Sequence, residues 1–277
     1  MKIFEFQFNP KAKKDHFFQV FSFEPKKGEE QGTLYIIGEL ANALPTNASF
    51  LGRLAAVVKE QYDSSQEKKK QTMPSPRSFT PQIRLRDALR KANEFLSNEA
   101  RNGNVDWLGN LHFAVFAFAP DAGAQLFSVT KVGRMDIWMA RGGSLVDVVK
   151  NLEGTANQSA KVFGNVVSGK MLPQDRVFVL TKDLFELCAK ENLLRDLPLL
   201  KEQKQFQRLF KNKEKELSRV SGIFFAAFAE TSLKSFPAPK LLRIPSFSLK
   251  KIPRLAVPRI SIPRIPLPRF PILKLKL

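Results

Sequence analysis

Few side chains in this sequence have the chemistry to make or break bonds, and one reactive pair is contiguous. Asp15 and His16 have the composition of a general base oriented by a carboxylate. Neighbours on an extended strand point to opposite faces, so the pair is not expected to act as a unit. His112 falls inside the apolar run LHFAVFAFA and reads as a packed or capped imidazole. Cys188, the single cysteine, lies on the apolar face of a helical pattern and reads as core. Two histidines and one cysteine make no zinc spacing. Arg141-Gly142-Gly143 is a hairpin signal and not a phosphate loop, and no nucleotide fingerprint occurs.

The elements that must position these groups centre on Ala124 to Val149. Leu126, Ser128 and Thr130 alternate with Phe127, Val129 and Lys131, which predicts a strand with two unlike faces. Gly133 permits a turn, Ile137-Trp138-Met139 follow as a second strand, and Leu145 to Val149 return as a third. Such a meander must pack on another layer. Strands are expected around Ile3–Phe8, Phe17–Phe23, Thr33–Ile37, Leu111–Ala119, Arg176–Leu180 and Gly222–Ala229. Helical spacing runs from Phe50 to Tyr62, with Asn47 or Ser49 as candidate caps, and from Leu85 to Leu96. Further helices are expected over Leu184–Leu197 and over a charged stretch, Leu199–Leu217. Asp63–Pro81 and Asn151–Lys161 read as loops, the first mobile because its charges and prolines leave few apolar contacts. Strands and helices are grouped rather than alternating, which favours α+β with antiparallel sheet.

The chain has 277 residues and a formal net charge of +19. Lys234–Leu277 holds 11 Lys and Arg and no acid, so the preceding 233 residues carry +19 − 11 = +8. One domain, about 1–233, followed by a basic tail, 234–277, is therefore expected. The lone cysteine excludes an internal disulfide and suits a reducing cytoplasm. No uninterrupted apolar segment suggests a signal peptide or a membrane-spanning helix. The stretch Lys201–Arg219 sets seven Lys/Arg against three Glu and reads first as a solvated face.

The segments LYIIGELAN, LGNLHFAVFAF, VTKVGRMDIWMARGGSL and MLPQDRVFVLTKDLFEL come in the order, and near the spacing, of the signature strands of PPM-type metal-dependent serine/threonine phosphatases. The chain resembles that family over roughly residues 1–230. The resemblance implies a four-layer α-β-β-α sandwich of two antiparallel sheets, with the family's metals at one end of the sheets. It also implies Mg²⁺ or Mn²⁺ held by carboxylates, with a bridging water as the nucleophile.

The matched positions depart from that pattern. Asp15 and Glu39 stand where the family has metal-binding aspartates, and Leu40 replaces the glycine after the second. Arg134 replaces the aspartate of "GDSR", with Met135 and Asp136 after it; Lys182 replaces that of "SDG", with Asp183 one position on; Ser221 stands where the family ends in "DN". A cation beside a divalent metal, at roughly 4 Å and an effective dielectric near 20, is opposed by about 4 kcal/mol per unit-charge pair. The expectation is a pseudophosphatase with no catalytic residues, metal or cofactor, and with a binding or regulatory role. Arg134 and Lys182 are then candidates for binding an anion. The alternative is a metal-dependent phosphatase rebuilt around Asp15, Glu39 and Asp183.

The tail repeats an apolar-Pro-Arg unit every five residues, with Arg254, Arg259, Arg264 and Arg269 after the prolines and Lys250 and Lys251 preceding. Regular proline forbids a continuous helix, so an extended, PPII-like or disordered segment is expected. Apolar and cationic together, it suits an anionic membrane surface or a protein partner. Binding of nucleic acid is the weaker alternative, because two Trp and two Tyr give little to stack on. A cytoplasmic protein is expected, with peripheral membrane attachment by the tail as the variant of that reading.

Overall fold

A computed structural model describes residues 1–10, 13–25, 32–67, 80–121, 124–150 and 162–229. These belong to one compact unit, Met1–Leu233. The strands are β1 (Lys2–Phe8), β2 (Phe17–Phe23), β3 (Thr33–Leu40), β4 (Leu111–Asp121), β5 (Ala124–Val132), β6 (Met135–Arg141), β7 (Ser144–Asp147), β8 (Val167–Met171), β9 (Arg176–Thr181) and β10 (Gly222–Phe228). The helices are α1 (Phe50–Glu67), α2 (Pro81–Arg101), α3 (Lys182–Lys190), α4 (Gln203–Lys211) and α5 (Glu214–Leu217).

The strands form two five-stranded antiparallel sheets, ordered β1-β10-β9-β6-β7 and β2-β3-β4-β5-β8. Side-chain alternation explains the layering. Leu34 and Ile36 of β3, with Phe113, Val115 and Ala117 of β4, face α1 and α2. Tyr35, Ile37, Ala114, Phe116 and Phe118 turn the other way, towards Val177, Val179, Ile223 and Phe225 of the facing sheet. Phe178 and Leu180 of β9 and Phe224 and Phe228 of β10 meet α3 and α4. Central strands are thus apolar on both faces, and the layers stack α-β-β-α as the resemblance implies.

Several elements differ from the sequence reading. The expected meander is divided between the sheets: β5 belongs to one, β6 and β7 to the other, and Gly133-Arg134 make the crossing. The hairpin at Gly142-Gly143 is present, with φ of +57° and +82° at the two glycines. β8 gives no apolar signal in VSGKM, yet it pairs with β5 from Gln125↔Met171 to Val129↔Val167. Helix α1 runs past Asp63 to Glu67; the Lys59–Asp63 ion pair at 2.9 Å continues the helix on its polar face. The remainder of that expected loop, 68–79, and all of Asn151–Lys161 lie outside the described residues. Asn47 does not cap α1: its carboxamide donates to Asp106 at 2.8 Å.

The helix expected over Leu184–Leu197 closes at Lys190, because Asn192 takes a left-handed φ of +58° and two short 3₁₀ turns follow. The charged stretch Leu199–Leu217 is two short helices rather than one. The chain breaks at Asn212-Lys213, and Phe206, Phe210 and Leu217 all lie in the core.

Candidate functional site

Glu39 has the same strand parity as Tyr35 and Ile37, so it faces between the sheets, and it sits one residue from the end of β3. It is 8% exposed, paired in register with His112 of β4 and Phe18 of β2. His112 shares the inner-face parity of Ala114 and Phe116. At the crossing after β5, Gly133 adopts a φ of +70°. A Cβ there would lie 2.3 Å from His112 Nδ1, so only glycine lets the chain pass. The next residue profits from that approach: the Arg134 backbone N–H donates to His112 Nδ1 at 3.0 Å. On the facing sheet, β9 ends at Thr181 and α3 begins with Lys182 and Asp183. The Thr181 hydroxyl accepts the Ile223 N–H at 3.2 Å, and a Cβ on Gly222 would meet it at 2.1 Å, which locks α3's start against β10.

These strand ends enclose a polar cleft of about 280 Å³ lined by Glu39, His112, Arg134, Lys182 and Asp183, with His16 at its wall. Burial, reinforced by the Asp183 charge and partly offset by Lys13, pushes the Glu39 carboxyl up to about 7. Burial and then the Arg134 charge hold the His112 imidazole below its ordinary value. With Nδ1 accepting a hydrogen bond, neutral His112 carries its proton on Nε2. Lys182 Nζ lies 3.2 Å from Glu186 on the next turn of α3.

Of the metal-site positions singled out in the sequence, four meet here, Glu39, Arg134, Lys182 and Asp183, beside His16 and His112. Three do not line the cleft. Leu40, opposite in parity to Glu39, is buried under α1. The Ser221 hydroxyl donates to Asn9 Oδ1 at 3.3 Å. Asp15 is exposed in a turn before β2, 3.1 Å from His16 Nδ1, and the hydrogen bond with His16 lowers its pKa. The expectation that Asp15 and His16 point apart thus fails, because they lie in a turn and not in a strand. Unanticipated lining comes from Ala41, Asn42, Gly109 and Asn110. Positive φ at Asn42 (+49°) and Gly109 (+74°) marks these as tight turns, a signal visible only as Gly and Asn beside strands. Cys188 is buried core, and burial pushes its thiol up to about 12.

No protein-family model and no curated protein sequence matches the chain. Solved structures do. The phosphatase domain of the cell fate determinant SpoIIE from Bacillus subtilis aligns with a TM-score of 0.50 at 10% identity, over 85% of this chain and 95% of that one. The SiaA-PP2C domain of Pseudomonas aeruginosa aligns with a TM-score of 0.50 at 8% identity, over 82% and 85%.

The fold is that of the PPM-type phosphatases.

Within this PPM fold, the cleft lies at the strand ends. Among the described residues, no group of three or more His, Cys, Asp or Glu is arranged to hold a metal. No helix among them is long and apolar enough to cross a membrane. The tail with Lys250, Lys251, Arg254, Arg259, Arg264 and Arg269 lies outside the described residues.

Proposed function

We propose that this PPM-fold domain is a non-catalytic, pseudophosphatase-like module that binds or regulates. The observation that carries this reading is the pairing of Arg134 and Lys182 in the same cleft as Glu39 and Asp183. Two hard cations held by bridging oxygens need several carboxylates around them. Among the described residues this cleft supplies two, and one of them, Glu39, holds its proton up to about pH 7. Asp15, the third carboxylate a rebuilt centre would use, is outside the cleft. His112 offers no lone pair at Nε2 while Nδ1 accepts the Arg134 N–H. The residues present do not fit a dinuclear metal centre, and no hydrolytic step is derived through one.

Arg134 and Lys182 fit an oxyanion instead, a phosphate group being the natural case. A neutral Glu39 would not oppose it and could donate a hydrogen bond. Calorimetric titration with Mn²⁺, run beside a phosphopeptide turnover assay, tests the reading. No micromolar Mn²⁺ binding and no turnover are expected; both together would restore the phosphatase alternative. Replacing Arg134 and Lys182 by alanine is expected to abolish anion binding, and unchanged binding rejects the anion role.

The tail would attach this module to an anionic membrane or a protein partner, with nucleic acid as the alternative, in a cytoplasmic setting. Each tail cation near such a surface contributes about 1 kcal/mol before screening. Sedimentation with anionic vesicles, beside duplex DNA, tests this. Deleting residues 240–277 is expected to abolish co-sedimentation, and sedimentation with neither leaves the tail as a spacer or docking peptide.

A further inference from the structure

A second surface lies along α2, separate from the strand-end cleft. A groove of about 670 Å³ runs between this helix and the segment 163–165, with Arg86, Arg90 and Arg101 along its length. The carboxamide of Asn93 builds the groove: it donates to Phe163 O and accepts from Phe163 N, both at 2.8 Å.

The charges here are arranged selectively. Other cations of this helical layer are engaged: Arg53 by Glu99 at 2.7 Å, Lys59 by Asp63 at 2.9 Å, Lys91 by Glu94 at 2.6 Å and Arg84 by the Tyr62 carbonyl at 2.9 Å. Among the described residues Glu94 is the one acid lining the groove, and Lys91 already holds it. The guanidiniums of Arg86, Arg90 and Arg101 have no hydrogen-bond or ion-pair partner among the described residues. The side chains of Ser97 and Asn98 line the same wall and are likewise unengaged. Three forked donors and two neutral hydrogen-bonding groups thus face one groove.

We infer that this groove docks an extended acidic segment of a partner protein, whose carboxylates pair with Arg86, Arg90 and Arg101. The dimensions agree: Arg86 and Arg101 stand fifteen positions apart on α2, a rise of about 22 Å, which about seven extended residues span. Other occupants lack what they need. Single-stranded nucleic acid stacks on exposed rings, and among the described lining residues the only ring, Phe163, is 2% exposed. A membrane requires exposed apolar side chains, and Leu89 is 3% exposed. The chain has no acidic run of its own to fill the groove. The most acidic stretch outside the described residues, 26–31, sets two glutamates against two lysines.

The test uses the full chain and a fluorescent Asp/Glu peptide of about eight residues, read by anisotropy at low and high salt, beside a poly-uridine oligonucleotide and phosphatidylserine vesicles. The variant R86Q/R90Q/R101Q is expected to lose about tenfold in peptide affinity, the sum of three exposed pairs of a few tenths of a kcal/mol each or more. A control, K201Q/K204Q/K211Q, removes three cations elsewhere and is expected to change affinity less than about twofold. Because the tail is also basic, R254Q/R259Q/R264Q/R269Q is measured too, and a photo-crosslinking peptide is mapped by mass spectrometry. Crosslinks on α2 support the inference. It is overturned if the tail variant loses the peptide while the groove variant keeps it. It is equally overturned if the groove arginines govern oligonucleotide or vesicle binding instead. Thermal melts of each variant separate lost docking from lost folding, since exposed Arg→Gln changes leave the core intact.

Discussion

The two outer layers of the sandwich solve the same problem with different materials. The sheet β2-β3-β4-β5-β8 is covered by α1 and α2, of 18 and 21 residues. Its partner sheet is covered by α3 and α4, of 9 residues each, and by α5, of 4. Helices that short are marginal alone, so their stability comes from what they pack on. The long pair presents mostly aliphatic residues and alanines: Leu51, Leu54, Ala55, Val58, Leu85, Ala88, Leu89 and Ala92. The short set is anchored on rings. Phe206 and Phe210 of α4 contact Phe4, Phe6 and Phe8 of β1 and Phe224 of β10, with centroids 5.1 to 6.4 Å apart. A few large aromatic contacts replace many small ones, which concentrates the stability of that layer in single residues.

The largest expected effect breaks this comparison at its weakest point. Phe206→Ala should cost about 3–5 kcal/mol and detach the short layer, exposing buried Cys188 to thiol reagents under native conditions. Leu54→Ala on the other side, costing about 2–5 kcal/mol by the same mechanism, should leave Cys188 protected short of global unfolding. Equal labelling of both variants would show that the two covers do not loosen separately.

Glu39, between the halves, comes next. Its carboxyl is raised from 4.5 to about 7 in the folded chain. Through that window the native state keeps a proton the unfolded state has lost, so stability falls as pH rises and is level above it. Glu39→Gln should therefore gain up to about 3 kcal/mol at pH 8 and nothing below about pH 4.5. Denaturant melts across pH check this; a parallel pH dependence in both proteins would refute it.

Asp175 tests the link between the sheets. Buried just before β9, its carboxylate accepts from Arg141 Nη2 at 2.6 Å and the Leu172 N–H at 2.7 Å, while Arg141 Nη2 also donates to Lys170 O of β8 at 2.7 Å. Asp175→Asn should cost about 2 kcal/mol, and the melt should remain cooperative; a change under about 0.5 kcal/mol would remove this clasp from the account. Smallest is Lys182→Ala, whose exposed pair with Glu186 should contribute less than about 0.5 kcal/mol. Its expected consequence is weaker anion binding without a shift in melting.

Much of the site was legible because its residues close recognisable strand signals. Glu39 ends an apolar run, Arg134 follows the turn glycine, and Lys182 follows the β9 run RVFVLT. The lining from Asn42, Gly109 and Asn110 was not, since turns bring residues near in space without any periodicity in sequence. Asp15 and His16 were misread for the complementary reason. A two-residue turn before β2 removed the alternation on which the reading rested.

The sequence by itself determined the layers: runs apolar at every position, such as GIFFAAF, require cover on both faces, and amphipathic spacing supplies that cover. It also determined which charges would stand at the strand ends. Tertiary structure decided the rest. It decided that the turn at Gly133 crosses between sheets instead of continuing one, and that Val167–Met171 becomes a strand by pairing with β5. It also broke the charged stretch at Asn212-Lys213, although Phe206, Phe210 and Leu217 have the spacing of one face of a single helix and all three lie in the core. Local propensity is worth tenths of a kcal/mol per residue, whereas burying a phenylalanine is worth about 2, so packing prevails wherever the two disagree.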